Sequence, residues 1–407
     1  MAEARAVGLE AISYRNTSKL GAVIEEAVNK LIGTKVTAKT LKASGLEKAI
    51  EKETNMNIAL VFHPTAFEAA IEVPKVDRNN AVMNQWRRAY LSSAESKKIL
   101  KKKDVIKGSV DFVKVRLAGD FEKFKFKIHL GEFLLSGYEG KLTTEAITAI
   151  ILHEIGHGFA YMEMLSRAST TNYVMAAATS AILDTESKEK RYEIANAASK
   201  SVRLSEEDME QLTLLKTKTE VATVLLNGAV LSSRSELGVN IYNERGFEQL
   251  ADQFASRMGY GAGLALGLDV LISNGGLFLS EKYGTGKRVL FETVKGVLAI
   301  GLSAVFPVAL GYLLGILLLS GNPLRDEYDK PGKRLSAIRE QMTGSLKQPG
   351  LSKEKKKDIL DNIEVVDNVM KEYNDNPTTW EWIIVTVTPF GRRQKNAIEI
   401  QQLYSVD

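Results

Sequence analysis

No cysteine occurs anywhere in the 407 residues of this chain. That excludes disulfides, thiolate metal ligands and a cysteine nucleophile. Histidine is almost as scarce, with four in all, so any metal site built on imidazole must draw on a very short supply. An excess of one charge is missing too: 54 basic residues face 50 acidic ones, for a net charge of +4. So close a balance argues against a nucleic-acid partner, and none is expected. The lysine clusters at Lys97 and Lys98 and at residues 101–103 and 355–357 alternate with acids or fall on expected helices, and read as solvated faces. The first residues, Met1-Ala2-Glu3-Ala4-Arg5, lack the apolar stretch of a cleaved secretory signal. A cytoplasmic or membrane-associated location is therefore expected.

What is present is ordinary for a folded protein, with 44% hydrophobic and 26% charged residues. The length allows two or three subdomains around a sizeable core. Residues 16–33 have helical spacing in Leu20, Val23, Ile24, Ala27, Val28 and Leu31, with Thr17 or Ser18 as cap and Gly33 as stop. Residues 34–54 read as a second helical segment, carrying Leu41, Leu46 and Ile50. Two short apolar runs follow, 57–62 and 67–73, separated by His63-Pro64-Thr65, where His63 reads as a loop residue rather than a ligand. A polar helical stretch is expected over 80–103.

Residues 109–117 and 123–130 are expected to pair as a hairpin turned at Ala118-Gly119-Asp120. In the second strand Phe124, Phe126, Ile128 and Leu130 alternate with Lys123, Lys125, Lys127 and His129. That is the period of a half-buried strand, and it assigns His129 to the solvated face.

The next helix carries the chemistry. It is expected to start at Thr143 or Thr144 and to run toward Met162, and it contains His153-Glu154-Ile155-Gly156-His157. On a helix, residues four apart lie one above the other, so His153 and His157 can face a single ion. Glu154 sits beside the first ligand, where its carboxylate reaches a water on the ion rather than the ion itself. That is the arrangement for metal-assisted hydrolysis, with zinc as the ion and one per chain. The helix is apolar around most of its circumference, so it belongs in the domain centre, where a metal offsets the desolvation of its ligands. Residues 167–247 hold two apolar patches, 173–183 and 221–231, around a charged helical stretch from 184 to 211. These read either as buried helices or as an insertion.

A hydrolytic zinc site has three protein ligands and an open position. Without cysteine or a spare histidine in a convincing context, the third ligand must be a carboxylate. Glu248 and Asp252, four apart, project from one helix face. Glu248 can bind the ion, and Asp252 can accept a hydrogen bond from a ligand imidazole. Glu244 is the fallback ligand.

Taken together, His153-Glu154-Ile155-Gly156-His157 and Glu248-Gln249-Leu250-Ala251-Asp252-Gln253-Phe254-Ala255 resemble the gluzincin metallopeptidases. The resemblance is closest to peptidase family M48, which includes the CAAX prenyl endopeptidases and the HtpX-like proteases. Leu130-Gly131-Glu132-Phe133-Leu134-Leu135 and Leu142-Thr143-Thr144-Glu145-Ala146-Ile147 are similar to that family's strand and helix start. The block Tyr328 to Leu335 resembles its His-Pro-to-Arg segment, with Lys330 in the histidine's place and a shorter spacing to Arg334. The likeness spans about residues 122–340. It implies a mostly helical α+β fold: a zincin-like metallopeptidase domain with a small antiparallel sheet and an active-site helix. It also implies zinc endopeptidase activity on a protein or peptide substrate. Glu154 is then the general base, Arg334 and Tyr328 are candidates for stabilising the transition state, and the 123–130 strand lies along the cleft, where extended substrate could add to it.

Residues 296–320 carry no charged side chain, and at 1.5 Å per residue they are long enough for a bilayer core of roughly 30 Å. With the glycine-rich stretch 260–279 they form an apolar hairpin, about 260–320, that suits a membrane or a buried position. Many relatives of the resembled family are membrane enzymes, so membrane association is expected. The domain division is 1–105, 106–340 and 341–407, the last a helical extension with Ile359, Leu360, Ile363, Val366 and Met370 on one face and residues 380–387 as a final strand or docking segment. Two other functions fit the same sequence: a catalytically silent scaffold such as a virion component, or a membrane-anchored binding module.

Overall fold

The structure, a computed structural model, describes residues 19–74, 107–237, 244–273, 331–346 and 350–374, together with 82, 85 and 241. Helix α1 (Leu20–Asn29) buries Leu20, Ile24, Ala27 and Val28, the face expected from their spacing. Residues 34–54 form two helices, not one. α2 (Ala38–Ala43) starts at a capping box in which Thr37 and Thr40 bond each other's backbone N–H. α3 (Leu46–Thr54) starts after Gly45, whose φ of 79° suits glycine and breaks the run.

Strands β1 (Asn57–His63) and β2 (Ala69–Glu72) follow. β3 (Gly108–Asp111) and β4 (Arg116–Gly119) pair antiparallel as a small ribbon of their own. The expected hairpin is thereby corrected. Asp111 Oδ1 accepts from the N–H groups of Val113 and Lys114 at 3.1 and 2.9 Å, and this side-chain turn folds 108–119 back on itself. Gly119 (φ 66°) instead opens a short 3₁₀ turn, Asp120–Lys123.

β5 (Lys125–Gly131) is the centre of a mixed sheet ordered β1-β5-β2, where a purely antiparallel one was expected. β1 runs parallel to it, Asn57 opposite Lys125 through His63 opposite Gly131. β2 runs antiparallel, Ala69 opposite Leu130 through Glu72 opposite Lys127. With a strand on each side, β5 has no edge to offer a substrate, so the expectation of strand addition along it does not hold. The outer edge of β1 is covered by α3, whose Glu47 and Glu51 carboxylates accept from the N–H groups of Leu60 and Ile58 at 2.8 and 3.3 Å. The sheet crosses the division expected at residue 105, since β1 and β2 precede it and β5 follows.

His129 is buried, contrary to the solvated reading. Its Nδ1 lies 2.7 Å from Nε2 of His63, at the end of β1, and its Nε2 lies 3.3 Å from Glu72 Oε2 on β2. Lys127 Nζ approaches the same carboxylate at 3.3 Å. Period two places His129 on the lysine face correctly, but neighbouring strands supply partners there that alternation does not reveal.

After a short α4 (Glu132–Ser136) comes α5 (Thr144–Leu183), forty residues long. Thr143 caps it, its Oγ1 accepting from Ala146 N–H at 3.1 Å. It continues well past Met162 and absorbs the apolar patch 173–183, because no glycine or proline interrupts residues 159–183. α6 (Lys188–Ser199), α7 (Glu206–Leu214) and α8 (Lys218–Leu237) then fold back as helices that bury Ala195, Ala198, Met209, Leu212, Val221 and Leu225. α9 (Glu244–Ala255) passes through a π-helical turn, broken at Gly259 (φ 95°), into α10 (Gly261–Ser273). α11 (Pro331–Ser345) and α12 (Lys353–Asn374) pack on each other, with an ion pair between Arg339 and Asp367 at 2.5 Å. Among the described side chains of α12, Ile363, Val366 and Val369 are buried, while Leu360 is exposed, not part of its apolar face.

The fold is thus mostly helical with a small sheet, and its buried apolar residues form one continuous core. Among the described residues no helix is long and apolar enough to cross a membrane. The 296–320 run, the 80–103 stretch apart from Val82 and Gln85, and residues 380–387 lie outside the described residues.

Candidate metal centre

Helix α5 is held between two layers, and two glycines let it sit there. Residues two apart on a helix point about 200° away from each other. A Cβ at Gly158 would meet Met56, Ile71 and Phe126 on the sheet side. A Cβ at Gly156 would stand 2.9 Å from Ala251 Cα and from Phe254 Cβ on α9. The backbones of α5 and α9 therefore approach closely at Gly156 and Ala251. Glu248 and Asp252 lie about one turn apart around that crossing, which brings them over the histidine face of α5.

There His157 Nε2 is 3.4 Å from Glu248 Oε1, and His153 Nε2 is 3.7 Å from Glu248 Oε2. The ligand atoms of His153, His157 and Glu248 all lie within 4.8 Å of one another, and the three residues are buried. Ligands about 2.1 Å from a tetrahedral zinc ion stand about 3.4 Å apart, so the donor set fits. Two nitrogens and a carboxylate oxygen also suit zinc chemically. Burial pushes the Glu248 carboxyl up, against the pull of Arg334 and His153. A cation here would offset that desolvation.

The next layer starts at Asp252. His153 Nδ1 stands 3.0 Å from its Oδ1. Arg334, on α11, grips the same carboxylate, donating through Nη2 to Oδ1 at 2.7 Å and through Nε to Oδ2 at 3.0 Å. Arg334 Nη2 also lies 3.6 Å from Glu248 Oε2. Burial alone would raise the Asp252 carboxyl, but Arg334 and His153 hold it far below the ordinary carboxylate range. His153 is pulled down by burial and raised on balance by Asp252, Glu248 and Glu154. His157 is driven well below the ordinary histidine range by burial and by the charges of His153 and Arg334, which keeps it in the neutral form a metal requires.

Glu154 stays outside the donor group. Its Oε2 accepts from the Ile71 N–H of β2 at 2.8 Å. Burial raises its carboxyl to about 7; Glu248 pushes the same way, while His153, the Ile71 amide and Arg334 pull down.

The expected site residues His153, Glu154, His157, Glu248 and Asp252 thus come together. Arg334 joins them, its guanidinium bound to Asp252 and 3.6 Å from Glu248 Oε2. Tyr328 lies outside the described residues, as does the Glu244 side chain. The Ile71 amide had no signal in the sequence, because a main-chain donor leaves no side-chain signature. The cluster of His63, His129 and Glu72 sits apart from the ligands, on the face of the sheet away from α5. Comparison of the chain with protein-family models, with curated proteins and with solved structures finds no match.

Proposed function

We propose that this protein is a zinc-dependent endopeptidase of zincin-like type, as the resemblance to peptidase family M48 implies. The observation that carries the reading is the buried His153, His157 and Glu248 donor set with Glu154 beside it, held by a backbone N–H and not by the donor group. A structural metal site needs no such extra carboxylate. His153, His157 and Glu248 hold the ion, and Asp252 orients His153. Bound zinc supplies a Lewis acid and a water acidified toward neutrality. Glu154 takes a proton from the attacking water and hands it to the leaving amine nitrogen. The substrate is a protein or peptide. Membrane association through residues 296–320 belongs to the same proposal.

The test is zinc content together with hydrolysis of casein or a peptide library, for wild type and Glu154→Gln. The expected result is one zinc per chain in both, with hydrolysis in the variant reduced about 10²- to 10⁴-fold. If both bind zinc and neither cleaves, with detergent or lipid included, the silent-scaffold reading replaces this one. If neither binds zinc, the ligand assignment is wrong.

A further inference from the structure

The two histidines of the donor set are supported in different ways. His153 has Asp252 and, behind it, Arg334. Neither Nδ1 makes a hydrogen bond among the described residues, but that of His153 lies 3.0 Å from the Asp252 carboxylate, and no acidic group is placed so against Nδ1 of His157. Metal-ligating histidines ordinarily donate their second ring nitrogen to an acceptor, which fixes the tautomer and the ring plane. What His157 has in its place is Phe247. The two rings stack with centroids 5.0 Å apart and planes 14° from parallel. The imidazole of His153 meets the His157 ring edge-on, at 4.5 Å and 81°.

We infer that Phe247 is the positioning residue for His157, setting by ring stacking the orientation that Asp252 sets for His153 by charge. The inference rests on the metal-centre reading above. With no acceptor on Nδ1 among the described residues, the imidazole can turn about its bond to Cβ, and that turn carries Nε2 away from Glu248. A flat aromatic face laid against the ring opposes the turn, because rotation drives the ring edge into that face. Phe247 is buried, so the restraint is not diluted by solvent. It also immediately precedes Glu248 on α9, so one helical turn delivers both the third ligand and the support for the second. The position therefore requires a flat ring, whereas an apolar side chain of similar bulk without one leaves His157 free to turn.

The experiment compares wild type, Phe247→Tyr and Phe247→Leu. It measures zinc affinity by competition with a chelator and the visible ligand-field absorption of the cobalt-loaded proteins, with thermal unfolding of the metal-free proteins as a control for folding. The leucine variant is expected to bind zinc about tenfold to a hundredfold more weakly, the usual effect of losing a ligand's orienting partner. Its cobalt spectrum should also change, while tyrosine retains both wild-type properties. Should the leucine variant not fold, Phe247→Met takes its place. Leucine or methionine matching wild type in affinity and spectrum overturns the inference, as does tyrosine failing alongside them. If wild type itself takes up neither metal, the metal-centre reading falls and the inference with it; wild-type uptake with an unaffected leucine variant overturns the inference alone.

Discussion

Arg334 and Asp252 form a two-pronged ion pair between α11 and α9, Nη2 to Oδ1 at 2.7 Å and Nε to Oδ2 at 3.0 Å. The pair sits directly behind a candidate metal ligand, since Asp252 Oδ1 is also 3.0 Å from His153 Nδ1. One carboxylate therefore joins α11 to the histidine motif of α5, far apart in the sequence.

Removing one member of this pair strands the other. Arg334→Met should destabilise the protein by about 3–5 kcal/mol, the penalty for leaving a buried carboxylate unpaired. The double variant Arg334→Met with Asp252→Asn should lose less than the two single losses added together, because the interaction between the two groups is counted in both single losses. Urea unfolding of the four proteins at one pH checks both statements.

Asp252→Asn keeps the shape and removes the negative charge next to His153. Zinc affinity is expected to fall about 10- to 100-fold while Glu248 and His157 remain in place. Chelator competition reads the loss directly, and an affinity equal to wild type would remove Asp252 from the site.

The glycine at the helix crossing is a steric test of the same geometry. In Gly156→Ala the new Cβ meets Ala251 Cα and Phe254 Cβ, both 2.9 Å away and both on or next to the backbone of α9. The helices must part, with an expected loss of about 1–3 kcal/mol and weaker zinc binding as Glu248 moves off. Gly158→Ala collides mainly with the tips of Met56 and Ile71, which can swing aside. It should be the milder change in calorimetry and should leave zinc binding intact.

The pH dependence of stability should report on His129. Burial lowers its pKa from the ordinary 6.5; Glu72 opposes, and the neighbouring His63 and Lys127 add to the lowering. The folded chain therefore holds the neutral form while the unfolded chain protonates first. The contribution is complete above pH 6.5 and is lost as the pH falls from there toward the lower folded value. Urea midpoints measured from pH 8 to 5 should drop more steeply for wild type than for His129→Gln, and equal slopes would contradict the assignment.

Much of the candidate metal centre was legible in the chain because its information is local. His153 with His157, and Glu248 with Asp252, are each four apart, and one helical turn is enough to put each pair on a common face. Thr143 ahead of the long apolar run marks a helix start for an equally local reason. The hairpin failed as an expectation because two pairings compete for residues 108–130, and the winner depends on β1 and β2, far away in the chain. His129 was misassigned for a related reason, since alternation reports a face and not what lies against it.

The sequence by itself determined the donor types, the spacing of the candidate ligands along two helices and the absence of any thiolate alternative, because these follow from composition and from the 3.6-residue turn. Only the tertiary structure decided that α9 crosses α5 at Gly156, that Arg334 holds Asp252, that β5 is enclosed by strands on both sides and that the Ile71 amide meets Glu154. Each of these is a contact between distant segments, set by packing across the core, and two of them involve backbone groups that every residue carries alike.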